Sequence, residues 1–244
     1  TPHVMSAESR TQVFKRDQIF IDVGAKDKQD AEERLGITPG DPIAPHSKFT
    51  LLNGNDLYLG KAWDDRIGLA VIVEVIKKLN KKSLPNNLYV VSTVQEEIGL
   101  RGAHTSSHKI NPDIGINIES GVAGDYPGIT IEESQEKIGA GPAIFLHDAS
   151  MLPNLKLRDL VVDISKQNNI PLQFEVLNGY GEDGAEIQKS FDGVPTVNIA
   201  IPTRYLHSHY GVISRKDLDN TVNLVCELLK SLDEKLIENI KTFD

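Results

Sequence analysis

The chain has 244 residues, 39% hydrophobic and 25% charged, which suits one large globular domain or two unequal ones. Its net charge of −9 argues against nucleic-acid binding, which needs a basic face. The single Cys226 excludes an internal disulfide framework, and no run approaches the ~18 apolar residues of a membrane span. Cys226 sits in "VNLVCELL" and reads as a small buried hydrophobe. Nothing resembles a signal peptide, so a reducing cytoplasm is the expected location. The chain opens "TPHVMSAESR" without an initiator Met, which suggests processing or membership of a longer protein.

Turn signals dominate the first 55 residues. "QIFIDVGA" reads as a strand, "KDKQDAEERLG" as a short helix stopped at Gly36, and "ITPGDPIAP" as a tight turn followed by an extended piece. "KFTLLNGNDLYLG" reads as a hairpin. Residues 1–55 are expected to form part of a small β-rich unit, and residues 56–244 the main domain. From residue 56 strands alternate with amphipathic helices. "RIGLAVIVEVIKKLNKK" is helical by its period and "NLYVVSTV" is a strand. "DIGINIES" and "AIFLHDAS" are extended, "LKLRDLVVDISKQNN" is a helix, and "LQFEVLN" is a strand. "DGAEIQKSF" is a helix and "TVNIAIP" a strand, before one long closing helix that starts at the N-cap candidate Ser214. Such alternation predicts an α/β fold with a mostly parallel sheet flanked by helices.

In open α/β sheets, ligands sit beyond the carboxyl ends of the strands. Acidic residues and histidines collect there. "LYLGKAWDDR" ends in Asp64 and Asp65, "LYVVSTVQEE" in Glu96 and Glu97, and "DIGINIES" in Glu119. "TVNIAIPTRYLHSH" runs out to His207 and His209. One surfacing charge is unremarkable, but this many carboxylates at one edge repel unless cations are present. Carboxylates with imidazole are the donor set of a divalent metal site with open positions. Adjacent glutamates beyond a strand end can take different roles, one on a metal and one moving protons.

"KAWDDRIGLA", "TVQEEIGLRGA" and "IPTRYLHSHYGVIS" closely resemble the M42 peptidases, dinuclear metalloaminopeptidases of the tetrahedral (TET) type that include glutamyl and deblocking aminopeptidases. The resemblance spans the chain, from "TPHVMS" and "IFIDVGA" through "GAGPAIFLHDASM". It implies a zinc-aminopeptidase-like catalytic domain, with residues 1–55 as part of an inserted dimerisation domain. It also implies peptide substrates, two divalent ions (Zn, Co or Mn) and a homo-oligomer of dimers that assemble to a dodecamer. Asp64 would bridge the two ions, Glu97 and His207 would bind one, Glu119 the other, and Glu96 would be the general base. The peptide bond between Asp64 and Asp65 would be cis. Asp65, Asp183 and His209 would stand behind the ligands or on the substrate side. Trp63 would be a wall of the site.

Two features depart from the family pattern. No H-x-D motif precedes Asp64, so one histidine ligand is expected outside this chain, and the Glu119 ion should be held more weakly than the Glu97–His207 ion. "GYGEDGA" at residues 179–185 stands where relatives commonly read "GGGTDA"; Asp183 matches, whereas Tyr180 and Glu182 do not. Two other functions compete with the aminopeptidase reading. One is an M20-like metal-dependent deacylase or carboxypeptidase. The other is a metal-poor, non-enzymatic assembly module.

Overall fold

Asp27 opens the first helix, α1 (Lys28–Glu33), by accepting a hydrogen bond from the Asp30 backbone N–H, and Arg34 pairs with Asp30 at 2.6 Å to close it. Gly36 follows with a φ of +69°. In this computed structural model, which describes residues 3–80 and 83–242, α1 belongs to a compact unit of residues 1–45. The expected strand "QIFIDVGA" is extended at Ile19 (φ −91°, ψ 132°) but joins no ladder. A strand is stable only with a partner for its backbone groups, and among the described residues of this unit none is a strand. Ile19 and Phe20 stay 65% and 85% exposed.

Residues 46–244 form the second unit. The predicted hairpin is present as β1 (Thr50–Leu52) and β2 (Leu57–Gly60), turned at Gly54 with a φ of +65°. This hairpin straddles the boundary expected at residue 55 and lies wholly within the larger unit. Next come α2 (Trp63–Leu79), α3 (Arg101–Ile110), β3 (Gly115–Val122), β4 (Ala143–His147) and α4 (Leu155–Gln167). The chain continues through β5 (Gln173–Val176), α5 (Gly184–Gln188), β6 (Thr196–Arg204), β7 (Gly211–Ser214), α6 (Arg215–Ser231) and α7 (Glu234–Lys241). β6 is the hub of the sheet. It pairs in parallel with β3 over eight residues, from Gly115↔Thr196 to Val122↔Thr203, and antiparallel with β4 and β7. β2 and β7 are antiparallel, and β4 and β5 are parallel. The sheet is therefore mixed rather than mostly parallel. Short loops such as residues 205–210 cannot make the crossover that a parallel pair needs, so β6 and β7 run antiparallel.

The core lies between the sheet and α2, α4 and α6, where Ile67, Val71, Leu157, Val161, Ile199 and Leu228 are all buried. α2 packs on α6 and β3, and α5 on β3 and β6. Two other expectations need correction. "NLYVVSTV" forms no ladder, and Tyr89, Val90 and Val94 stay exposed; its pattern suits a strand, but no neighbouring strand among the described residues supplies its backbone partners. The closing helix is two helices. Leu232 leaves helical geometry (ψ 77°), and the Asp233 side chain accepts from the Leu236 N–H at 2.8 Å to start α7. Ser214 does sit at the N-cap of α6, with extended backbone, but its hydroxyl makes no capping bond.

Candidate active site

Trp63 fixes the approach to the acidic pair. Ala62 turns the chain out of β2 with a φ of +53°, and the Trp63 indole N–H donates to the Gly211 carbonyl at 3.1 Å. Gly60 and Gly211 both press against that indole; a Cβ on either would stand 3.0 or 2.8 Å from its ring carbons. The ring thus ties β2 and β7 to the start of α2. The Asp64–Asp65 peptide bond is cis. Asp65 Oδ1 accepts from the Gly68 N–H at 2.9 Å.

Glu96 and Glu97 lie in a 3-10 turn, Glu96–Ile98, bent at both ends by Gln95 (φ +60°) and Gly99 (φ +118°). His207, with a φ of +57°, occupies the loop between β6 and β7 two residues after Tyr205 (φ +61°). A non-glycine residue in left-handed backbone thus stands at or within two positions of Asp64, Glu97 and His207. Such geometry costs of order 1–3 kcal/mol each and persists where the surroundings enforce it, as at functional sites.

These three segments converge. His207 Nε2 lies 2.8 Å from Asp64 Oδ2 and 3.5 Å from Glu97 Oε2. One ligand atom from each of Asp64, Glu97 and His207 lies within 4.8 Å of the others. Two carboxylates and an imidazole form a donor set suited to zinc or a similar divalent ion, with room for further ligands. Glu119 is not part of this trio. It is buried near the end of β3, accepts from the Ser120 N–H at 2.8 Å, and feels the charges of Asp65, Asp64 and Glu96. A cleft of about 980 Å³ runs from Asp64, Asp65, Glu96 and Glu119 between β3 and residues 85–93.

The crowding of acids shows in their protonation. Burial first, then Asp183, Glu97 and Asp64, push Glu96 up to about 7, while His207 opposes them. Burial pushes Asp65 up to about 8, against the Gly68 bond and with the charges of Asp64, Asp183 and Glu96. Burial also raises Asp64, helped by Glu97 and opposed by His207. Glu119 is driven well above the carboxylate range by burial and by Asp65. Burial is the first cause of each shift and the neighbouring anions add to it, a repulsion that a bound cation would relieve.

Asp183 is buried behind the glutamates and accepts from Thr93 Oγ1–H at 2.5 Å. His209 takes no part in the trio; its ring meets Tyr210 at a tilt of 59° with centroids 5.0 Å apart, and its carbonyl accepts from Ser47 Oγ–H. The sequence reading missed Thr93 and Gly68, and it noted Tyr180 only as a departure from the family pattern. Thr93 lay in the quoted motif but looked like an ordinary strand residue. Gly68 lay unremarked inside the predicted helix, yet its N–H holds Asp65.

The profile of the M42 glutamyl aminopeptidase family matches residues 1–224. The chain belongs to this family. FrvX of Escherichia coli (strain K12), named as an aminopeptidase, is 36% identical over 242 residues, covering 99% of this chain and 67% of that protein. A TET aminopeptidase structure from a marine sediment archaeon, Thaumarchaeota archaeon SCGC AB-539-E09, superposes with a TM-score of 0.95 at 41% identity, covering 99% of this chain and 67% of the other. The TET1 peptidase of Pyrococcus horikoshii, described as assembling into a tetrahedron or a large octahedral shell, matches with a TM-score of 0.82 at 30% identity over 95% of this chain and 67% of the other. The chain thus spans about two thirds of the length of these M42 relatives. Aminopeptidases are hydrolases acting on peptide bonds. Among the described residues no helix is long and apolar enough to cross a membrane.

Proposed function

We propose that this chain carries the metal-binding and proton-transfer machinery of a dinuclear aminopeptidase that removes N-terminal residues from peptides. The observation that carries this reading is the convergence of Asp64, Glu97 and His207 from three separate segments, with Glu96 beside them. Asp64, Glu97 and His207 would hold one divalent ion; Asp64 and Glu119 would hold a second, weaker one. When bound, the ions would polarise the scissile carbonyl and acidify a water.

The protein's own groups do the rest. Glu96 makes no hydrogen bond to the trio and titrates near neutrality, which suits a group that takes a proton from water and returns it to the leaving amine. Asp65, tied to Gly68, braces the loop from behind. Trp63 and the β2–β7 edge wall the site on one side. The acidic surroundings favour a substrate with a free, positively charged amine. A homo-oligomer built from dimers fits the assembly described for the TET1 relative, and a cytoplasmic location fits the buried, unbridged Cys226.

The test is a panel of aminoacyl-anilides and their N-acylated counterparts, assayed with Zn, Co or Mn and with a chelator, on the protein together with whatever segment supplies the missing histidine. Hydrolysis confined to free-amine substrates and abolished by chelation supports the proposal. Preference for N-acylated substrates would favour a deacylase instead. For the assembly, a light-scattering mass equal to one protomer would contradict the oligomer.

A further inference from the structure

Tyr180 and Glu182 are the residues of "GYGEDGA" that depart from the pattern of relatives, and both are built into the interior. Glu182 is 1% exposed and its neighbour Asp148 2%. Asp148 Oδ1 accepts three hydrogen bonds, from Ser150 N–H and Oγ–H at 2.6 Å each and from Met151 N–H at 2.8 Å. Glu182 Oε1 accepts one from Asn198 Nδ2–H at 2.6 Å. The remaining oxygens, Glu182 Oε2 and Asp148 Oδ2, are buried with no N–H or O–H donor from elsewhere, yet the two carboxyls hydrogen-bond to each other. Two ionised carboxylates have only acceptors, so one of the facing oxygens carries a proton. Asp148, with three donors on its other oxygen, is the better stabilised anion, so the proton belongs to Glu182. The charged groups that bear on Glu182 are Asp148, Glu119 and Glu96, all acidic. Burial and these neighbours together push its carboxyl well above the usual range.

We propose that Glu182 is a neutral carboxylic acid that donates a hydrogen bond to Asp148, and that the chain Asp148–Glu182–Asn198 positions residues 179–185 against the two glutamate-bearing segments of the site. The turn grips both segments. Tyr180 Oη–H donates to the Ser120 carbonyl at 2.8 Å, next to Glu119. Asp183 accepts from Thr93, three residues before Glu96. Gly184 completes the fit, because a Cβ there would collide with Asn198 Oδ1; the amide that holds Glu182 fills space that only a glycine leaves. Glu182 touches neither substrate nor ion in this account. It acts as a positioning residue through Tyr180 and Asp183.

The experiment compares the wild-type chain with Glu182→Gln, Glu182→Ala and Asp148→Asn by infrared difference spectroscopy, thermal melting across pH, and zinc titration. A Gln at 182 can accept from Asn198 and donate to Asp148, so it mimics the protonated acid. An Asn at 148 can donate to Glu182 and releases its proton. At neutral pH the wild type is expected to show a protonated-carboxyl carbonyl band missing from both Glu182→Gln and Asp148→Asn. Glu182→Gln should melt like the wild type at neutral pH and show a shallower fall in stability towards alkali than the wild type. Glu182→Ala should melt lower and bind zinc several-fold more weakly. Absence of the band difference in both variants overturns the proton assignment, and Glu182→Gln behaving like Glu182→Ala overturns the positioning role. The zinc readout rests on the proposed ion site; the infrared readout does not, so failure of the two readings can be told apart.

Discussion

Gly68→Ala tests whether α2, β3 and Asp65 are fitted to one another around the site. Gly68 lies in the second turn of α2, where alanine would ordinarily stabilise a helix by about 1 kcal/mol. Here a Cβ would run into Asp65 Oδ2, lie 2.9 Å from Asp65 Cγ, and stand 2.7 Å from the Ile118 carbonyl of β3. Forcing extra volume into a packed contact costs about 1–3 kcal/mol. Displacing Asp65 also breaks its bond from the Gly68 N–H and leaves a buried carboxyl short of a donor, which adds about 1–3 kcal/mol. After subtracting the helix gain, the net loss is about 1–5 kcal/mol. At about 2–4 °C per kcal/mol for a chain of this size, the melting temperature should fall by roughly 2–20 °C. Urea unfolding followed by far-UV circular dichroism reads the loss directly. A Gly68→Ala variant within about 0.5 kcal/mol of wild type would refute the close approach of α2, Asp65 and β3.

Glu175 is fully buried at the edge of the sheet, and burial pushes it from 4.5 up to about 7 against bonds from the Gln135 and Glu136 backbone N–H groups. Because the folded protein binds that proton more tightly than the unfolded chain, stability is fully present below pH 4.5 and declines as pH rises to about 7. The shift corresponds to about 3 kcal/mol; Glu175→Gln should remove about that much of the wild type's pH-dependent loss, and identical pH slopes in the two proteins would contradict it. Leu157 in α4 is completely buried in the main core, so Leu157→Ala should cost about 2–5 kcal/mol in urea unfolding. A loss under about 1 kcal/mol would mean that the α4 face is not packed as described.

The sequence carried the elements whose pattern matches their surroundings. β3, β4, β6, α2 and α4 are apolar at the right period and buried where expected. It failed where a pattern needs a partner that sequence cannot name. "NLYVVSTV" and "QIFIDVGA" have strand composition, but neither finds a ladder among the described residues, because β-propensity reports fit to a neighbouring surface. The break at Leu232 was hidden in an apolar run, since Asp233 competes as an N-cap through a local bond that periodicity does not register. At the site, Asp64, Glu97 and His207 were legible because carboxylates and imidazole after apolar runs are chemically unusual. Thr93 and Gly68 were not, since each looks ordinary until its contact with Asp183 or Asp65 is seen.

The central claim is that Asp64, Glu97 and His207 hold an ion while the adjacent Glu96 does not. Calorimetric zinc titration of the wild-type chain, His207→Ala and Glu96→Gln tests it most directly. Wild type and Glu96→Gln should bind one tight ion with similar affinity, and His207→Ala should bind it at least about tenfold more weakly, a difference of about 1.4 kcal/mol. Unchanged affinity in His207→Ala, or loss of the ion in Glu96→Gln, would contradict this assignment of the two glutamates and the histidine.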